Sequence, residues 1–261
     1  MNKPVSTFML AACLTAAPLS AQPQIGGGVC SSASLNGAYS LTLSGRDVSS
    51  SVTFSKVAQG VGTATFDGLN RVTFSLTNNT NQIFGTSEAL SGTYSMQANC
   101  IGVLNIATGD TATFALESYD QGKNYLITGQ DGTYSFTGSG GSLPATCSTS
   151  QLNGGYSFNA TGFNLTSGAV TGVSNISGIL QFDGKSAVSG TWYEAAGTSN
   201  TNLNLSGQFT VTASCTGSAT LSDTSGNSYS LLFTVTTTDG SNFLLSGSNS
   251  VLMFIGNGRT I

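Results

Sequence analysis

No histidine occurs in the 261 residues, and only 7% of them are charged, with 7 Lys and Arg against 11 Asp and Glu. The missing histidine excludes a Ser-His-Asp triad, a His-based zinc site and imidazole general-base chemistry near neutral pH. The scarcity of Lys and Arg leaves no basic patch to meet nucleic-acid phosphates. A globular chain usually carries roughly 25% charged residues. This one must keep its surface wet with neutral polar side chains instead. Tryptophan occurs once and proline four times. No segment approaches the roughly 20 consecutive apolar residues of a membrane-spanning helix. The 39% hydrophobic content argues against a disordered chain.

What is present starts with the grammar of an export signal. Lys3 precedes an apolar stretch from Val5 to Leu14, and small residues lead up to Leu19-Ser20-Ala21. A positive start, an apolar middle and small residues before the cut describe a secretory signal peptide over 1–21, cleaved after Ala21. Residues 22–29 follow as a short linker. An alternative is a lipobox at Leu10-Ala11-Ala12-Cys13, which would anchor the chain by a lipid on Cys13. Either way the expected location is secreted or periplasmic.

The rest is a tandem repeat. Cys30 opens CSSASLNGAYSLTLSG and Cys147 opens CSTSQLNGGYSFNATG, an offset of 117 residues. The match continues through Phe66-Asp67-Gly68 against Phe182-Asp183-Gly184, then Leu90-Ser91-Gly92 against Leu205-Ser206-Gly207. Cys100-Ile101-Gly102 answers Cys215-Thr216-Gly217, and NYLITG at 124–129 answers NFLLSG at 242–247. The expected domains are therefore 30–137 and 147–261, joined by the Gly/Ser/Pro stretch 138–146. Each copy is of about 115 residues, an ordinary size for a single-core domain. Outside the leader there are four cysteines, and of the three possible pairings only Cys30–Cys100 with Cys147–Cys215 respects the repeat. Structural disulfides are expected, since no CxxC spacing or histidine points to redox or metal chemistry.

Within each copy the pattern alternates. Tyr39, Leu41 and Leu43 interleave with Ser40, Thr42 and Ser44, and Tyr229, Leu231, Phe233 and Val235 repeat the design. Period two with Ser and Thr on one parity marks half-buried strands. Turns such as Asp67-Gly68, Asp131-Gly132, Asp183-Gly184 and Asp239-Gly240 fall between them, and Asp-Gly is a strong hairpin signal. About eight strands per copy are expected, starting near 36, 61, 71, 88, 101, 111, 124 and 133. Short connections and one apolar parity favour an all-β, antiparallel, up-and-down barrel in each copy over an immunoglobulin-like sandwich. Tyr39, Phe66, Phe74, Tyr94, Phe114 and Phe136 are expected to fill the first barrel.

The combination LNGxYS, FDG and LSGxY/F-x-x-x-A-x-C-x-G resembles a group of secreted bacterial β-proteins, single or tandem, whose fuller motif reads GTYxVNxDCTGT. The resemblance spans nearly all of 30–261. It implies a fold and carries no activity. A looser likeness, in strand count and length, is to allene oxide cyclase-like and lipocalin-like barrels, and no site residue is carried over from it.

Candidate chemistry is sparse. Most acids sit in turns. Glu88 and Glu194 have inward parity, where a carboxylate at a barrel mouth can anchor a ligand or act as an acid. Trp192, inward and alone, is either core or a stacking platform. No metal set, phosphate loop or cofactor motif appears, and no cofactor, nucleic acid or membrane span is expected. Three functions follow: a non-enzymatic surface, interaction or matrix module; a carrier of a small apolar or aromatic ligand inside a barrel; or a barrel isomerase or cyclase using an inward carboxylate. The interior volume of each barrel discriminates among them.

Overall fold

The computed structural model describes residues 29–48, 56–80, 85–108 and 111–261. The expected leader 1–21 and the lipobox cysteine Cys13 lie outside them. Eight strands form the first barrel: β1 (Asn36–Asp47), β2 (Val57–Asp67), β3 (Arg71–Thr80), β4 (Thr86–Met96), β5 (Ile101–Ile106), β6 (Ala112–Tyr119), β7 (Asn124–Gln130) and β8 (Tyr134–Gly141). Each pairs antiparallel with the next, and β8 closes on β1. Eight more form the second: β9 (Asn153–Thr166), β10 (Ala169–Asp183), β11 (Ala187–Ala196), β12 (Ser199–Val211), β13 (Thr216–Asp223), β14 (Ser228–Val235), β15 (Asn242–Ser248) and β16 (Leu252–Thr260). Here β16 closes on β9. Closure pairs every strand and removes exposed sheet edges. The Gly-rich stretch expected as a linker from Gly138 begins inside β8, which runs on to Gly141.

Alternation explains the sheets. Along β3, Val72, Phe74 and Leu76 are buried while Arg71, Thr73 and Ser75 are exposed. The apolar parity faces the barrel axis and the Ser/Thr parity faces out, the reverse of a lipid-embedded barrel. Among the described residues no helix is long and apolar enough to cross a membrane.

One end of each barrel is plugged. In the first, a single 3-10 turn (Ser32–Ser34) lays fully buried Leu35 across the opening, and Cys30 is bonded to Cys100. The Tyr94 hydroxyl lies 2.8 Å from the Ser32 carbonyl and 2.9 Å from that of Leu35. Tyr39 and Tyr125 donate to the carbonyls of Gly122 and Ser40. These rings meet Phe66 edge to face, with centroids 5.0 to 5.4 Å away. The second barrel repeats the device with Thr149–Gln151, Leu152, Cys147–Cys215, and Tyr156 donating to Gly240. Disulfides of this kind suit an oxidising compartment.

The Asp-Gly turns are built alike. Asp67 Oδ1 accepts the backbone N–H groups of Leu69, Asn70 and Arg71 at 2.8 to 2.9 Å, and Gly68 takes φ +74°. Asp183 does the same for Lys185, Ser186 and Ala187. These donors, the Arg71 and Lys185 amides foremost, hold both carboxyls below the ordinary range. Asp223 is lowered by the Asn227 side-chain amide, and Asp239 to about 2, chiefly by the Ser241 N–H. A depressed folded pKa stabilises the fold above the unfolded value near 3.9, and the contribution is lost as pH falls through the folded pKa. Thermal scans should therefore show a flat Tm over roughly pH 5 to 8, where there is no histidine to titrate. Tm should drop between about pH 4 and 2. A step in Tm near pH 6.5 would contradict this account.

Two aromatic-rich cores lie inside the barrels, and a third apolar cluster lies between them. It joins Val57 of β2 to Phe163, Leu165 and Met253 of β9 and β16.

Candidate functional site

Among the described residues, the end of the first barrel opposite its plug holds a cup of about 500 Å³. Leu43, Leu76, Leu90, Ile106, Phe114 and Phe136 wall it, and Asn78, Thr80, Glu88, Asp131 and Tyr134 supply its polar groups. The expectation that six aromatics fill this barrel is corrected here. Tyr39, Phe66 and Tyr94 cluster with Tyr125 at the plugged end. Phe114 and Phe136 are left to line the cup.

Three positions around the cup carry less bulk than their counterparts in the second barrel, as the strand registers show. Val72 faces Phe66 as Val188 faces Phe182, so Leu76 stands where Trp192 does. Gly60 faces Asn78 as Ile176 faces Glu194. Ala112 faces Ile106 as Tyr229 faces Leu221. At one level of two matching barrels, Gly60, Leu76 and Ala112 are replaced by Ile176, Trp192 and Tyr229. Part of the difference is taken back by Leu43, which faces Gly60 where the smaller Ala160 faces Ile176, and the remainder is space in a close-packed interior.

Glu88 projects into the cup from β4, as its parity suggested. Asn78 Nδ2 donates to its Oε2 at 2.8 Å. A Cβ on Gly60 would collide with the Asn78 amide oxygen, so glycine is what leaves this amide its place. Asp131 Oδ1 accepts the N–H groups of Thr133 and Tyr134 at the rim. Burial, then the charges of Asp131 and Asp47, push the Tyr134 phenol up from its usual range. It is a neutral hydrogen-bonding group at any physiological pH.

The other candidates lie in the second barrel. Trp192 is 1% exposed and packs on Tyr229, Phe254 and Phe158, with centroids 4.7, 5.5 and 6.3 Å away. Its Nε1 meets no acceptor among the described residues. Glu194 sits one inward position beyond, and the Ser174 hydroxyl lies 2.8 Å from both its Oε1 and Asn164 Oδ1. Glu88 and the Trp192–Glu194 pair are therefore in different barrels and form no joint site. Among the described residues no group of three His, Cys, Asp or Glu could hold a metal ion. Asn78, Gly60 and Ala112 escaped the reading of the sequence. The signal for two of them was the size exchange with Ile176 and Tyr229, visible only once the strands are in register.

Solved structures similar to this chain include a protein of unknown function from the DUF3598 family of Nostoc punctiforme, 7% identical with a TM-score of 0.29, covering 87% of this chain and 97% of that one. They also include isotype 1 transferrin binding protein B from serogroup B Neisseria meningitidis, 8% identical with a TM-score of 0.27, covering 85% of this chain and 75% of that one. No protein-family model and no curated protein sequence matches the chain.

Proposed function

We propose that the chain is a non-enzymatic, exported pair of barrels whose first barrel carries a small apolar or aromatic ligand in its cup, while the second is filled by its own side chains. The observation behind this reading is the size exchange of Gly60, Leu76 and Ala112 for Ile176, Trp192 and Tyr229. An apolar wall with a few convergent polar groups is the usual make-up of a small-molecule site. Burying ligand surface against it contributes roughly 25 cal/mol per Å². Asn78, Glu88 and Tyr134 would orient a hydroxyl, amine or amide on that ligand. Trp192 and Glu194 then serve the second core and its rim. The surface or matrix reading has the polar outer face behind it, which any low-charge barrel presents. The isomerase or cyclase reading needs a carboxylate committed to proton transfer, and Glu88 serves here as an anchor. Export would proceed through cleavage of the leader after Ala21.

The test is titration with N-phenyl-1-naphthylamine, a neutral apolar fluorophore. The parent chain should show one saturable site. Ala112→Tyr, which copies Tyr229, should abolish it without lowering Tm. No saturable binding by the parent, or unchanged binding by Ala112→Tyr, would overturn the reading.

A further inference from the structure

β2 is thin on its inner side. Its inward positions from 58 to 64 are Ala58, Gly60, Gly62 and Ala64, which add little side-chain volume to the first core. Its outward side chains Val57, Gln59 and Val61 are only 0%, 2% and 3% exposed. The second barrel buries them, since β2 lies against β14, β15 and β16. Val57 joins the cluster of Phe163, Leu165 and Met253. Gln59 Nε2 donates to the Thr161 carbonyl at 3.5 Å, and Thr234 Oγ1 donates to the Gly62 carbonyl at 3.3 Å. On β3, buried Asn79 donates from Nδ2 to Ser246 Oγ at 3.0 Å and accepts from Ser248 Oγ at 3.5 Å. Asn78 and Asn79 are successive residues. One amide holds Glu88 inside the cup and the next holds Ser246 across the seam.

We infer that Val57, Gln59 and Asn79 are positioning residues for the cup: the second barrel grips β2 and β3 from outside and so fixes the wall that these strands present to a ligand within. A strand with glycine and alanine inside, paired on both edges, gets most of its side-chain packing from its outer face. Buried polar partners with one geometry, such as the Asn79 amide, set register rather than merely adhesion. The inference rests on the ligand reading only for its binding arm, because the rigidity of the wall is measurable without a ligand.

The experiment uses the full chain with Met253→Glu, which puts a charge into the seam from the second barrel, and Met253→Leu as the conservative control. Amide hydrogen exchange over 57–67 and 71–80 should be about tenfold faster in the Glu variant, with 101–130 and 187–211 unchanged. The Leu variant should match the parent. The Kd for N-phenyl-1-naphthylamine should weaken about tenfold alongside, because a looser wall must be ordered on binding. Parent-like exchange in β2 and β3, or fast exchange with unchanged Kd, overturns the inference. Failure of the parent to bind the probe sinks the ligand reading alone and leaves the exchange result to decide on the wall. Should Met253→Glu lose protection throughout both barrels, Ser246→Ala decides. It deletes only the hydroxyl that accepts from the Asn79 amide, and parent-like exchange of β2 and β3 there also overturns the inference.

Discussion

Trp192→Ala is expected to destabilise the second barrel by about 3–5 kcal/mol, read as a fall in its urea midpoint followed by circular dichroism. The residue is 1% exposed and touches Tyr229, Phe254 and Phe158. No hydrogen bond of its indole is lost with it. The whole cost is therefore packing: transfer of the indole plus a cavity that a closed barrel cannot collapse, because its strands are tied on both sides. Trp192→Leu restores the residue found at Leu76 and should cost less. It should also open a space at the level where the first barrel has its cup, and so bring a weak second site for the apolar probe. In the parent, emission from this single tryptophan should be blue-shifted and poorly quenched by iodide. A red-shifted, readily quenched signal, or an Ala variant as stable as the parent, would show that the side chain is not core.

Replacing Cys30 and Cys100 together by Ala should cost about 4 kcal/mol on the chain-entropy account, a large share of the 5–15 kcal/mol that holds a typical domain. The bonded residues are 70 apart in sequence, and the second pair is 68 apart. The loss should reach further than the bond itself. Without it, Cys30 no longer holds the 3-10 turn over the opening, and the buried Tyr94 hydroxyl risks losing Ser32 and Leu35 as acceptors. An unsatisfied buried hydroxyl adds roughly 1–3 kcal/mol. The prediction is a first barrel that melts well below the parent while the second keeps its transition, and the same effect on treating the parent with dithiothreitol. Non-reducing peptide mapping should find Cys30 joined to Cys100 and Cys147 to Cys215. A link between the two halves, or a reduced protein as stable as the oxidised one, would refute it.

The repeat and the alternation made the barrels legible. Strand starts near 36, 71, 101 and 124 coincide with β1, β3, β5 and β7. β2 begins at Val57 rather than near 61 for a physical reason. Its outward Val57 and Val61 are covered by the second barrel while its inward positions are Gly and Ala, so period two is blurred where both faces are buried. The cup was hidden for the opposite reason. It is made by residues that are absent in bulk, and a small side chain carries no pattern of its own. Glu88 was readable by parity. Its partner Asn78 was not, because an Asn on a strand looks like any exposed amide until a Gly60 opposite gives it room.

The plug has a mechanical consequence. Each disulfide ties the residue just before the first strand of its barrel to the corner entering the fifth, enclosing β1 to β4 or β9 to β12. A chain pulled by its two ends passes tension directly across those bonds. The enclosed strands lie off the load path, and only the remaining strands of each barrel can pay out length, at roughly 3.4 Å per residue. In an oxidising surrounding the protein would behave under load as a short tether with a hard stop. In a reducing one the same chain would unreel through nearly its whole contour.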